Sequence, residues 1–99
     1  MSYTYILHEK AQQDYESAIL WYDQGGALTT DKFIAAVDRA FQLICEHPTR
    51  WRKAGKRYRI LSLNKYPYTI IYSIDESNEL IIISALHNDN KSPKSKYRK

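Results

Sequence analysis

The segment RYRILSLNKYPYTIIYSIDESNELIIISALH, residues 57–87, decides the fold. It contains three runs rich in β-branched and aromatic residues, RYRILSL (57–63), PYTIIYSID (67–75) and ELIIISALH (79–87), with NKYP and ESN as turn-forming stretches between them. Short strands joined by short polar turns predict a meander of antiparallel strands. A sheet wetted on one side would alternate apolar and polar residues. TIIYSI and LIIISAL are instead almost continuously apolar, which predicts central strands covered on at least part of both faces.

Upstream, the residues that supply this cover change period. YTYIL (3–7) reads as a further short strand, after which HEKAQQDYESAILWYDQ takes helical spacing. Ala11, Tyr15, Ala18, Ile19 and Tyr22 fall on one face, and Glu9, Gln12, Gln13 and Glu16 take the other. Gly25-Gly26 ends this helix. Thr29 or Thr30 offers an N-cap for a second helix, with Asp31 at its positive start and Phe33, Ala36, Val37, Ala40, Phe41 and Ile44 as its apolar stripe; Pro48 stops it. A short link between two amphipathic helices predicts an antiparallel helical hairpin whose joint apolar face lies on the sheet. The expected class is α+β, with order β-α-α-β-β-β, a helical hairpin packed on a small antiparallel sheet. One domain over residues 1–90 is followed by a basic tail, 91–99.

Ninety-nine residues suffice for one domain and one modest core, so any function must sit on that domain. There is no signal-peptide-like apolar run and no segment near the roughly 20 apolar residues that span a bilayer, which predicts a cytoplasmic protein without a membrane partner. Cys45 is the single cysteine, and no His/Cys pattern has metal-ligand spacing. No Gly-rich phosphate loop, Ser-His-Asp ordering or helically spaced carboxylate pair is present, so neither cofactor nor metal is expected.

The net charge of +4 conceals a division: residues 1–49 sum to −4 and residues 50–99 to +8. Six cations lie in RWRKAGKRYR (50–59) and five in KSPKSKYRK (91–99), a concentration that suits phosphate backbones or an acidic protein. On an extended strand, Arg57 and Arg59 would share one side and Tyr58 and Ile60 the other, with Arg50, Arg52 and Lys53 in a preceding loop. Strand-mounted arginines can be placed accurately against a phosphate, although pairing with Asp75, Glu76 or Glu79 would make them purely structural. His87 closes the last strand and has the chemistry of a general acid or base near neutral pH, while a lone strand-end histidine more often serves as a hydrogen-bonding group. With nine tyrosines in the chain, Tyr72 and Tyr97 carry little individual signal.

Together, AQQDYESAILWYD, DKFIAAVDRAFQLICEHP, KRYRILSL, YPYTIIYSID and ALH followed by a basic residue and a proline resemble the RelE/ParE superfamily of toxins from bacterial type II toxin–antitoxin systems. The resemblance covers nearly the whole chain. It implies a small cytoplasmic growth-inhibiting toxin, associated with plasmid stabilisation, whose partner is a cognate antitoxin. In RelE-like members, cations with a Tyr or His cleave mRNA on the ribosome without metal, and Arg57, Arg59, His87, Lys91 and Tyr97 would be the corresponding catalytic groups here. Those members typically carry an arginine in the third strand, where this chain has Thr69 and Ile70 ahead of Tyr72. The PYTIIY form is more similar to ParE-like members, which bind and poison DNA gyrase and need a surface but no catalytic residues. The same five residues would then be toxic-surface candidates. ParE-like chains usually place an arginine three residues after the histidine, whereas HNDNKSP has Lys91 four residues on. Three readings are open: a gyrase-directed toxin, a ribosome-dependent endoribonuclease, or a degenerate non-toxic partner-binding domain.

Overall fold

The computed structural model describes residues 3–90. The strand β1 (Thr4–Leu7) leads into two helices, α1 (Glu9–Asp23) and α2 (Ala27–Glu46), and four strands come after them: β2 (Lys53–Ala54), β3 (Tyr58–Ser62), β4 (Tyr68–Asp75) and β5 (Leu80–Asn88). The helices cover one face of a five-stranded sheet of order β1-β5-β4-β3-β2. The expected α+β architecture is present. The meander β2-β3-β4-β5 is antiparallel throughout, while β1 joins β5 in parallel, so the sheet is mixed. A strand that feeds directly into the covering helical layer returns to the sheet only through a long crossover, and such crossovers allow parallel pairing.

Two differences from the sequence expectations have local causes. The second helix begins at Ala27, not after Thr29 or Thr30, with Gly26 as its N-cap at φ 100°. Glycine reaches that backbone conformation without a Cβ clash, so the chain turns immediately. The two threonines lie in the first turn, and their hydroxyls donate back to Gly25 O at 3.2 Å and Gly26 O at 3.3 Å. The second difference is β2, a two-residue strand inside the basic stretch, pairing Lys53 with Arg59 and Ala54 with Tyr58.

The core lies between the hairpin and the sheet. Phe33 is wholly buried, with ring centroids 4.5 Å from Tyr22, 5.2 Å from Tyr66 and 5.6 Å from Tyr68, so one phenylalanine joins both helices to the β3–β4 turn. Ile70, Tyr72, Ile81 and Ile83 supply the floor from β4 and β5. On the far face, a smaller apolar cluster of Ile60, Ile71 and Ala85 is flanked by Ala54 and Tyr58. This second cluster explains why β4 reads as continuously apolar: alternate side chains serve two separate cores.

A bulge in β5 positions the end of the sheet. Ile71 pairs with Ala85 and Tyr72 with Ile83, so Ser84 is an additional residue that shifts the phase of the pairing beyond it. Before the bulge, the Ile83 carbonyl faces β1 and accepts from His8 N at 2.9 Å. Past it, Leu86 N–H reaches the Asp14 carboxylate of α1 at 3.1 Å, at a point where β1 has already ended. Asp14 thereby ties α1 to an edge with no strand partner, and it also pairs with Lys10 one turn earlier.

Candidate functional site: a clamped basic corner

No acidic residue occurs from His47 to Ile74, a span that includes the loop beyond α2, β2, β3 and most of β4. Five of its cations, Arg50, Arg52, Lys53, Lys56 and Arg57, are exposed on the loop after α2 and on the β2–β3 hairpin. Gly55 opens the hairpin turn at φ 83°, again a conformation that L side chains rarely adopt.

The sixth cation of RWRKAGKRYR behaves differently. Arg59 is half-buried, and its Nη1 donates to Trp51 O at 2.7 Å and to Thr49 O at 3.2 Å. Tyr72, its register partner on β4, donates its hydroxyl to Pro48 O at 2.7 Å. Three carbonyls of the Pro48–Trp51 loop are thus fixed by two side chains from adjacent strands. Burial pushes the Tyr72 phenol up to about 12, an effect opposed by the neighbouring guanidinium. The hydroxyl stays protonated, as its donor role requires. Arg59 therefore lies on the helix side of the sheet, opposite Tyr58 and Ile60 as the alternation predicts, where it anchors a loop. The alternative of a carboxylate partner on Asp75, Glu76 or Glu79 is not what the structure shows: among the described residues, the one ion pair is Lys10–Asp14.

Arg57 belongs to the hairpin turn and not to a strand, which corrects the strand placement expected for it; Lys53, expected in a loop, is in β2. His87 is a buried member of β5, opposite Thr69 in the β4–β5 register. Arg59 pairs with Tyr72, three residues further along β4, or roughly 10 Å from Thr69 at the usual strand rise. Arg57, Arg59 and His87 therefore do not converge on one point. Lys91 and Tyr97 lie outside the described residues.

Thr69 and the wholly buried Ile70 occupy the stretch ahead of Tyr72 where the resemblance to ribonuclease members calls for an arginine, and of the two only Thr69 has a polar side chain. It is 2% exposed, and its hydroxyl lies 3.1 Å from Ser62 Oγ and donates to Asp89 Oδ1 at 2.8 Å. Ser62, Thr69 and Asp89 thus form a row of two hydroxyls and a carboxylate. Nothing in the sequence separation of Thr69 and Asp89 signals their contact, since it depends on the β4–β5 register. The hairpin in the basic corner did have a signal: a glycine between two short runs, masked by lysines and arginines that have little strand preference of their own.

A family model described as the ParE toxin of type II toxin–antitoxin system, parDE, matches residues 5–91. The chain belongs to this toxin family. Solved structures agree on the fold. The chromosomal ParDE system of P. aeruginosa superposes with TM-score 0.75 at 15% identity, over 89% of this chain and 96% of that one. The RelBE2 toxin–antitoxin complex of Mycobacterium tuberculosis gives 0.62 at 20%, over 89% and 99%. The isolated E. coli RelE toxin gives 0.66 at 10%, over 96% and 93%. No significant match was found among curated proteins. Among the described residues of this ParE-family toxin, no helix is long and apolar enough to cross a membrane.

Proposed function

We propose that the toxin arrests growth by binding DNA gyrase and poisoning it, and that a cognate antitoxin made with it neutralises this activity. The observation that carries the choice of target is the Thr69–Asp89 pair. Ribosome-dependent RNA cleavage needs preorganised positive charge around the scissile phosphate, and removing one such group costs on the order of 3 kcal/mol in the transition state. A carboxylate beside the position where that charge is needed adds repulsion to the loss. A poison that acts by binding has no such requirement. The dispersed candidates Arg57, Arg59 and His87 are compatible with a surface and poorly arranged for a shared reacting atom. Lys91 and Tyr97 remain proposed contributors to the toxic surface.

Purified toxin incubated with gyrase and supercoiled plasmid should cause linear DNA to accumulate after denaturation of the enzyme, and ribosome-bound mRNA should stay intact. Cut mRNA without linear plasmid would transfer the function to the ribonuclease reading. Absence of growth arrest on induction would support the degenerate one. The partner reading rests on the family match and on the RelBE2 complex among the neighbours. An acidic segment that folds as it binds would suit the charge of the second half of the chain.

A further inference from the structure

The basic corner is built more rigidly than charge alone requires, and its chemistry selects among anionic partners. We infer that Arg50, Arg52, Lys53, Lys56 and Arg57 form a sequence-independent grip for the phosphate backbone of duplex DNA. All five are exposed, on the loop after α2 and on the hairpin whose strands pair Lys53 with Arg59. Ile60 N donates to Arg52 O at 3.1 Å, adding a third tie between the loop and β3. With Arg59 and Tyr72 holding Pro48, Thr49 and Trp51, the backbone beneath the cations is fixed before a partner arrives, which lowers the ordering cost of binding.

Two other anionic partners fit less well. An acidic protein segment that folds on binding needs apolar surface to offset its ordering cost. Among the described residues, the exposed large apolar side chains are Tyr5, Ile6, Leu20, Trp21 and Leu28, none of them in this corner. Single-stranded nucleic acid is held chiefly by aromatic faces on which bases stack. Here Trp51 is half-buried with the Arg50 guanidinium 5.3 Å from its ring centroid, and Tyr58 packs against Ile60, Ile71 and Ala85. Duplex backbone asks only for cations and donors at fixed spacing, without base contacts.

The grip stands on the geometry of the corner and needs no gyrase, so its failure is separable from failure of the proposed target. The test is fluorescence anisotropy of the full-length toxin with a labelled 20-base-pair duplex of arbitrary sequence, across a salt series. The probes for comparison are one strand of that duplex and a poly-glutamate of similar charge. The duplex should bind most tightly, independently of sequence. R52A/K56A/R57A should reduce the salt slope by about 3 and the affinity on the order of 100-fold at 0.1 M salt. Neutralising Lys94, Lys96, Arg98 and Lys99 in the full-length chain should leave that dependence on the corner in place. The inference is overturned if the corner variant binds as the unmodified toxin does, if only the tail variant loses binding, or if single strand or poly-glutamate binds as tightly as duplex. An unchanged circular dichroism spectrum and melting temperature for the triple variant keep a folding defect from being read as support.

Discussion

At one end of the β3–β4 pair, Arg59 and Tyr72 aim three donated hydrogen bonds at the carbonyls of a neighbouring loop. At the other end of the same pair, Ser62 and Thr69 lead to the carboxylate of Asp89. The first arrangement uses a charge to organise backbone and leaves five other cations facing solvent. The second uses a buried hydroxyl to hold an acid. The arginine with the better-defined position is thus the one least available to a partner, whereas at the other end the buried Thr69 hydroxyl is engaged by a carboxylate and not by a cation.

Removing the clamp should have the largest effect. Arg59→Ala deletes two hydrogen bonds from a charged donor and strands the Trp51 carbonyl in a partly buried setting, while the exposed Thr49 carbonyl can turn to water. Together these losses should cost about 2 kcal/mol in urea unfolding. Arg59→Lys should recover only part of this, because an ammonium lacks the fixed fork of a guanidinium. If Arg59→Ala changes stability by less than about 0.5 kcal/mol, the clamp has no energetic role and its arginine becomes a contact residue like its five neighbours.

Tyr72→Phe tests the other half of the clamp, with an expected loss of about 1–1.5 kcal/mol from a single hydrogen bond to Pro48 O. It also carries a pH signature. The folded-state phenol is raised to about 12 by burial, from an ordinary value of 10.0. The fold therefore favours the neutral form, and this contribution is complete below pH 10 and declines as pH rises towards 12. Tyr15 is also raised to about 12, by burial and then by the charge of Asp38, so the unmodified toxin should lose melting temperature through this window. Tyr72→Phe should lose it less steeply, and identical slopes would show that Tyr72 is not held as its geometry indicates.

At the opposite end the effect should be smaller. Thr69→Val keeps the shape and removes the hydroxyl between Ser62 and Asp89. Both partners can turn to water, since they are exposed, so the expected loss is about 0.5–1 kcal/mol. A loss as large as that of Arg59→Ala would mean that the two ends are equally structural and would weaken the contrast between them.

How much of this could be read in the sequence differs between the two ends. Apart from β2, the strands, the helices and their order follow from periodicity, because apolar spacing must match the surface each element buries. Phe33 is in the core, and Tyr22 packs against it, for that reason. Ile60 and Ile71 belong to the second core, which the unbroken apolar runs implied without locating. The fate of Arg59 was half legible: alternation gave its side relative to Tyr58, but not that this side meets the loop after α2. That fact depends on where Pro48 releases the chain, a tertiary relation. The contact of Thr69 with Asp89 depends on register and on the bulge at Ser84, which no local pattern specifies. Parallel pairing of β1 was likewise hidden, because a four-residue strand looks the same in either direction.

The smallest effect on stability is expected at Arg57, and it is the most informative for function. Arg57 is exposed in the hairpin turn and has no partner in an ion pair among the described residues, so Arg57→Ala should change unfolding free energy by less than about 0.5 kcal/mol. If the corner is a contact surface, the same substitution should weaken growth arrest while the melting temperature stays unchanged. Arg59→Ala should lower both, because it acts through the loop it holds. The ratio of lost toxicity to lost stability therefore separates a cation that touches a partner from one that places its neighbours. Full toxicity in Arg57→Ala, with toxicity in Arg59→Ala declining only in step with stability, would remove Arg57 from the contact surface.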